Sequence, residues 1–161
     1  STNGLFLLSR EINKQANKIL FCACKKYFPN QKNGILLVNA QKENKQKIEL
    51  FYNTEKFEVY CFCPIYLYDD KNNKIETNFL FVGGFDIERH EGRIKLFKIL
   101  YNKMSNINNI EYLQDIEFGF EGAISSIIQS EKYGNFLVSC YDGNIYLFTK
   151  INLDFYLNNN F

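Results

Sequence analysis

Apolar and polar positions alternate along most of this chain in short runs, each bounded by Gly, Asn or Asp. Gly92-Arg-Ile-Lys-Leu-Phe-Lys is representative: Ile94 and Leu96 fall on one side of an extended backbone, Arg93, Lys95 and Phe97 on the other. Period-two alternation in runs rich in β-branched and aromatic residues predicts strands. The runs also repeat. Asn17-Lys-Ile-Leu-Phe-Cys, Asn78-Phe-Leu-Phe-Val-Gly and Asn135-Phe-Leu-Val-Ser-Cys begin alike, at intervals of 61 and 57 residues. Each leads through a turn to a Gly that opens a second apolar strand: Gly34-Ile-Leu-Leu-Val-Asn, Gly92-Arg-Ile-Lys-Leu-Phe-Lys and Gly143-Asn-Ile-Tyr-Leu-Phe-Thr.

Further runs complete each repeat. Gly4-Leu-Phe-Leu-Leu-Ser, Phe57-Glu-Val-Tyr-Cys-Phe-Cys and Gly122-Ala-Ile-Ser-Ser-Ile-Ile precede the three Asn-initiated strands. Lys47-Ile-Glu-Leu-Phe-Tyr, Asn109-Ile-Glu-Tyr-Leu-Gln-Asp-Ile and Leu153-Asp-Phe-Tyr-Leu follow them. Four short strands in a repeat of this length are the pattern of a β-propeller blade. The expected fold is therefore all-β, with about three four-stranded antiparallel blades at 4–53, 56–117 and 121–157. Propellers usually close with about four to eight blades, so three make an incomplete ring. The missing blades are expected from a longer parent chain or from another chain. Helix is expected only as a turn or two in the polar stretch Ser9 to Asn17. Asp142-Gly143 and Lys32-Asn33-Gly34 read as hairpin turns, and Asn72-Asn73 and 102–109 as loops between strands.

Composition narrows the class. No apolar run among the 161 residues approaches the roughly 18 needed for a membrane helix. Ser1 to Leu8 lack the basic stretch of a secretory leader, so an intracellular, soluble chain is expected. Net charge is +1, which makes no global case for nucleic-acid binding. The distribution is uneven: residues 10–47 hold nine Lys or Arg against Glu11 and Glu43, while residues 105–161 hold Lys132 and Lys150 against seven acids. Solvated faces explain this most simply. The sharper alternative is an RNA- or partner-binding face on Lys14, Lys18, Lys25, Lys26 and Lys32, aided by aromatics such as Tyr27, Phe28 and Phe51. The five cysteines form an odd set, unlike a disulfide framework. Cys22 and Cys24, like Cys61 and Cys63, lie in strand-like runs that favour burial in a core over a zinc site.

Catalytic patterns are missing. No phosphate-binding Gly-rich loop occurs, and Gly83-Gly84 is followed by Phe-Asp-Ile rather than Lys-Ser or Lys-Thr. His90, the only histidine, rules out a multi-His metal site and is expected to be exposed in a charged loop. The reading is a chain with no catalytic residues, metal or cofactor.

Particular residues then carry a resemblance. The Gly-His and Trp-Asp marks of WD40 repeats are missing, and Trp is absent altogether. Phe79-Leu-Phe-Val-Gly83, the acidic loop Phe85 to Glu91, Gly92-Arg-Ile-Lys-Leu-Phe97, Glu121-Gly-Ala-Ile-Ser-Ser126, Asn135-Phe-Leu-Val-Ser139 and Ile145-Tyr-Leu-Phe148 instead follow one another in a family order. That order resembles the C-terminal propeller of the family named for the large subunit of the cleavage and polyadenylation specificity factor. The family includes the large damaged-DNA-binding protein of cullin ubiquitin ligases and the large propeller protein of splicing factor 3b. The similarity covers residues 77–150 best and departs at Gly84, where Thr is usual, and at 102–109. The resemblance implies a nuclear, non-enzymatic scaffold that holds other protein subunits in mRNA 3′-end processing, with RNA contacted indirectly. The ligase-adaptor and splicing branches are its alternatives. Val82, Gly83, Gly92, Arg93, Ile94, Gly122 and Ala123 are the motif positions, with structural roles. Gly83-Gly84 and Gly92 are expected to bracket a loop, and Arg93 to pair with Asp86, Glu88 or Glu91 unless it is an ordinary exposed arginine.

Overall fold

The computed structural model describes residues 2–12, 15–27, 32–39, 49–101, 107–116, 118–131 and 134–149. They form strands and turns only. The first sheet joins β1 (Thr2–Ile12), β2 (Gln15–Tyr27), β3 (Lys32–Asn39) and β4 (Glu49–Glu55) in chain order. The second joins β5 (Phe57–Tyr68), β6 (Lys74–Asp86), β7 (Glu91–Tyr101) and β8 (Ile107–Asp115), again in chain order. The third joins β9 (Ile124–Gln129), β10 (Phe136–Cys140) and β11 (Ile145–Phe148). All pairings are antiparallel, so each sheet is a meander. The all-β expectation holds. No helix among the described residues is long and apolar enough to cross a membrane.

The sheets stack in sequence, and the middle one is covered on both faces. Leu80, Val82, Phe97 and Ile99 meet Ile19, Phe21, Ile35 and Leu37 of the first sheet. Phe79, Phe81, Ile94 and Leu96 meet Ile124, Ile127, Phe136 and Val138 of the third. Six consecutive residues of β6, Phe79 to Gly84, are therefore buried, the continuous run of a strand with no solvent face. The sheets approach most closely at their first strands. β5 packs on β1 more extensively than on β2, β3 or β4, and β9 packs on β5 more than on β6 or β7. The sheets thus splay outward from β1, β5 and β9.

Several local expectations are corrected. The polar stretch Ser9 to Asn17 contributes to a β1–β2 hairpin instead of a helical turn, with Ser9 opposite Lys18 and Ile12 opposite Gln15. Backbone pairing to a neighbour already in place outweighs the missing apolar alternation. Lys32-Asn33-Gly34 is no turn. It opens β3, where Asn33 Nδ2 donates to the Glu55 carbonyl at 3.1 Å. Gly83-Gly84 lies inside β6, so the turn between it and Gly92 does not begin at the glycines. The turn comes after Asp86, whose Oδ1 accepts the backbone N–H groups of Glu88 and Arg89, each at 3.0 Å. The expected last strand, Leu153 to Leu157, lies outside the described residues.

Candidate functional site

Gly83, Gly92, Ile94, Gly122 and Ala123 meet at the joint between the second and third sheets. Gly92 N–H donates to the Phe120 carbonyl at 2.7 Å, and Phe120 N–H donates back at 3.0 Å. That pair ties the start of β7 to the segment entering β9. A Cβ on Gly92 would collide with the Gly122 carbonyl oxygen and stand 3.1 Å from Phe120 Cβ. Glycine is needed there for closeness, since Gly92 is not among the positive-φ residues. Tyr141 N–H donates to the Ala123 carbonyl at 2.9 Å, fastening the far side of the same segment. Gly83 has an equivalent role deeper in the joint: a Cβ there would lie 2.6 Å from Ile124 Cγ2 and 2.7 Å from Cys61 Sγ. Ile94 faces this joint, whereas Val82 faces the first sheet. Phe120 is the plug, fully buried and edge-on to Phe118 at 4.8 Å, Tyr146 at 4.9 Å and Phe148 at 5.9 Å.

A charge network lies on the other face of β7, the face that turns Phe97 towards the first sheet. Arg93 is only 12% exposed, so it is no ordinary surface arginine. Its Nε lies 3.1 Å from Glu91 Oε1 and 3.6 Å from Asp115 Oδ2, and its guanidinium reaches the Ile116 carbonyl at 3.5 Å. Of the three expected partners it takes Glu91. Asp86 instead faces Arg89, and Glu88 pairs with Lys56. Asp115 is the hub: Lys95 Nζ and the Tyr112 hydroxyl both reach its Oδ1 at 2.7 Å, and Arg89 lies 4.0 Å from Oδ2. Burial, then the hydrogen bond to Asp115, pushes the Tyr112 hydroxyl up to about 12.

A second cluster draws on all three sheets. Lys25 of β2 pairs with Glu58 of β5 at 2.8 Å, and the Tyr60 hydroxyl donates to the other Glu58 oxygen at 2.8 Å. Tyr141, after β10, stands edge-on to Tyr60 at 5.5 Å. Burial and the Glu58 contact push the Tyr60 hydroxyl up to about 12.

The candidate lysines do not form one face. Lys18 and Lys32 are exposed but sit at opposite ends of the first sheet. Lys32 pairs across from Tyr27, nine residues from Lys18 along β2, or roughly 30 Å at strand rise. Lys25 is neutralised by Glu58. Lys14 and the side chains of Lys26 and Tyr27 lie outside the described residues, as does Phe28, while Phe51 is half-exposed on β4. His90 is exposed at the tip of the β6–β7 turn, with φ of 53°.

Three of the cysteines line a packed face between sheets. Cys61, Cys63 and Cys140 belong to the joint between the second and third sheets, and burial pushes the Cys61 and Cys63 thiols up to about 12. Cys22 and Cys24 lie on β2, and burial raises both. Thiols held protonated in this way are poor metal ligands.

Sequence reasoning missed Asp115, Phe120 and Glu58. Only Glu58 carried a signal, a lone acid inside the apolar run Phe57 to Cys63. No family model, curated protein or solved structure matches this chain.

Proposed function

We infer that the chain is a run of consecutive β-propeller blades acting as a non-catalytic scaffold, of the kind found in the cleavage and polyadenylation specificity factor large-subunit family. The observation that carries this reading is the meeting of Gly92-Arg93-Ile94 with Gly122-Ala123 at one joint between successive meander sheets. In that family order these pieces are separated by a variable strand, and here they are the contact that sets one sheet against the next. The outward splay from β1, β5 and β9 supports the same reading, because blades converge on an axis through their innermost strands. A scaffold of this type works by binding through loops and blade edges, in a nuclear RNA-processing assembly.

The test is purification of the protein with its partners from its own cells, read by mass spectrometry. Recovery of the nuclease and poly(A)-adding machinery of mRNA 3′ ends is the expected result. A cullin with substrate receptors would move the chain to the ligase-adaptor branch. Co-purification with a small-molecule-metabolising assembly, and none of these, would overturn the scaffold reading.

A further inference from the structure

A defect in the ladder of the second sheet opens a cavity. Pro64 of β5 stands opposite Leu80 and Tyr66 opposite Glu76, so three residues of β6, Thr77 to Phe79, face Ile65 alone. Surplus residues of this kind bulge a strand and interrupt its pairing, and such bulges are over-represented beside functional sites. Thr77 holds the bulge together: its hydroxyl donates to the Ile65 carbonyl and accepts the Phe79 N–H at 3.2 Å. Pairing of β6 with β7 begins only at Phe79, opposite Lys98. The space left beside the bulge has a volume of about 320 Å³. Leu67, Ile75 and Phe79 give it an apolar lining, and Lys98 and the polar residues of the bulge complete it.

The polar groups of this cavity are unequally committed. The Thr77 hydroxyl is spent on the backbone, and Glu76, which also lines the space, has a partner of its own. Half-buried Lys98 makes no ion pair with a described residue, although Glu111 stands opposite it on β8. The Asn78 amide makes no hydrogen bond among the described residues either. An ammonium and an amide left over beside apolar side chains match a carboxylate carried on a hydrocarbon. We propose that this cavity binds a small monocarboxylic acid, its carboxylate on Lys98 and its apolar body against Leu67, Ile75 and Phe79. The volume is at the lower end for small-molecule sites, which suits an acid of about six carbons and excludes a long-chain lipid. An amine of the same length meets Lys98 as a like charge and is rejected. Every lining residue belongs to the second sheet, so the site stands whether or not the sheets are blades.

Titration with hexanoate, followed through the methyl signals in NMR spectra, tests this, with hexylamine as the probe of opposite charge. Hexanoate should shift the Leu67 and Ile75 methyl signals saturably, and hexylamine should not. Lys98→Met keeps the apolar stem and removes the charge; it should weaken hexanoate about fivefold, the effect of a solvent-exposed ion pair. Lys98→Arg should bind like the wild type. Lys74→Met removes a cation that lies over the Tyr66 ring at 3.8 Å, outside the cavity, and should leave the affinity unchanged. Amide spectra that change only around the substituted residue show that each variant keeps the fold. Equal binding of hexanoate and hexylamine, or an affinity unchanged in Lys98→Met, would overturn the proposal. Shifts confined to Leu7 and Leu137, which are exposed on the first and third sheets, would overturn it too, because apolar surface alone would then account for the binding.

Discussion

Replacing Gly92 by Ala is the sharpest test of the joint between the second and third sheets. The added methyl group would meet the Gly122 carbonyl oxygen and Phe120 Cβ, backbone and near-backbone atoms that no rotamer change can move. Relief requires the β9-entry segment to back away from β7, which stretches the two Gly92–Phe120 backbone hydrogen bonds. Overpacking of this kind costs about 1–3 kcal/mol. The two hydrogen bonds add about 1 kcal/mol each if both are lost. A loss of about 3–5 kcal/mol is therefore expected if both bonds are lost, or about 6–20 °C in Tm for a chain of this length.

Gly143→Ala is the control. Gly143 has φ of 91° but nothing within 4 Å of its added Cβ, so its cost is backbone strain alone, about 1 kcal/mol. Both substitutions stiffen the unfolded chain equally, so that contribution cancels in their difference. Urea denaturation followed by far-UV circular dichroism gives both values. Native-state hydrogen exchange at the Gly92 and Phe120 amides should show faster exchange in Gly92→Ala and no change in Gly143→Ala. If the two variants lose equal stability, the close approach at Gly92 is not what holds the sheets together.

Three further outcomes follow from the same contacts. Asp115→Ala should cost about 2 kcal/mol, because it strips Lys95 and the largely buried Arg93 of their shared carboxylate; a urea midpoint indistinguishable from wild type would count against Asp115 as the hub. Cys61 and Cys63 have thiols raised from 9.0 to about 12, chiefly by burial. The folded state holds the proton more tightly than the unfolded one, so their stabilisation is complete below about pH 9 and is lost as pH rises towards 12. Stability measured against pH should decline from about 9 upward, and both thiols should resist an aromatic disulfide reagent at pH 8 until the chain unfolds; rapid native labelling of either would refute the burial argument. Phe120→Ala should lose about 3–5 kcal/mol, with the intrinsic tyrosine fluorescence of the joint altered through Tyr146; an unchanged melting curve would mean that Phe120 is no plug.

The parts of this structure that were legible in the sequence are those where packing writes a period into the chain. The strand Phe79 to Val82 faces two sheets and is apolar at every position, while β10 buries Phe136, Val138 and Cys140 and exposes Leu137. Three such repeats announce sheets in chain order. What packing does not write was lost. The β1–β2 hairpin continues through polar residues because backbone hydrogen bonding, blind to side chains, extends it to Ile12 and Gln15. Asp115 could not be foreseen as Arg93's partner: a bulge between Leu96 and Phe97 sets the β7–β8 register, and nothing local marks it.

Gly83 shows where glycine was misread for a physical reason. In sequence, Gly83-Gly84 suggests a bend, since chain freedom is the common use of glycine. In the fold, Gly83 is extended and buried, and its lack of a side chain is what matters, because Ile124 occupies the space a Cβ would take. Gly92 works in the same way against Gly122 and Phe120. Glycine at two positions along one joint, each where a neighbouring sheet comes too close for a Cβ, is a packing signal between sheets.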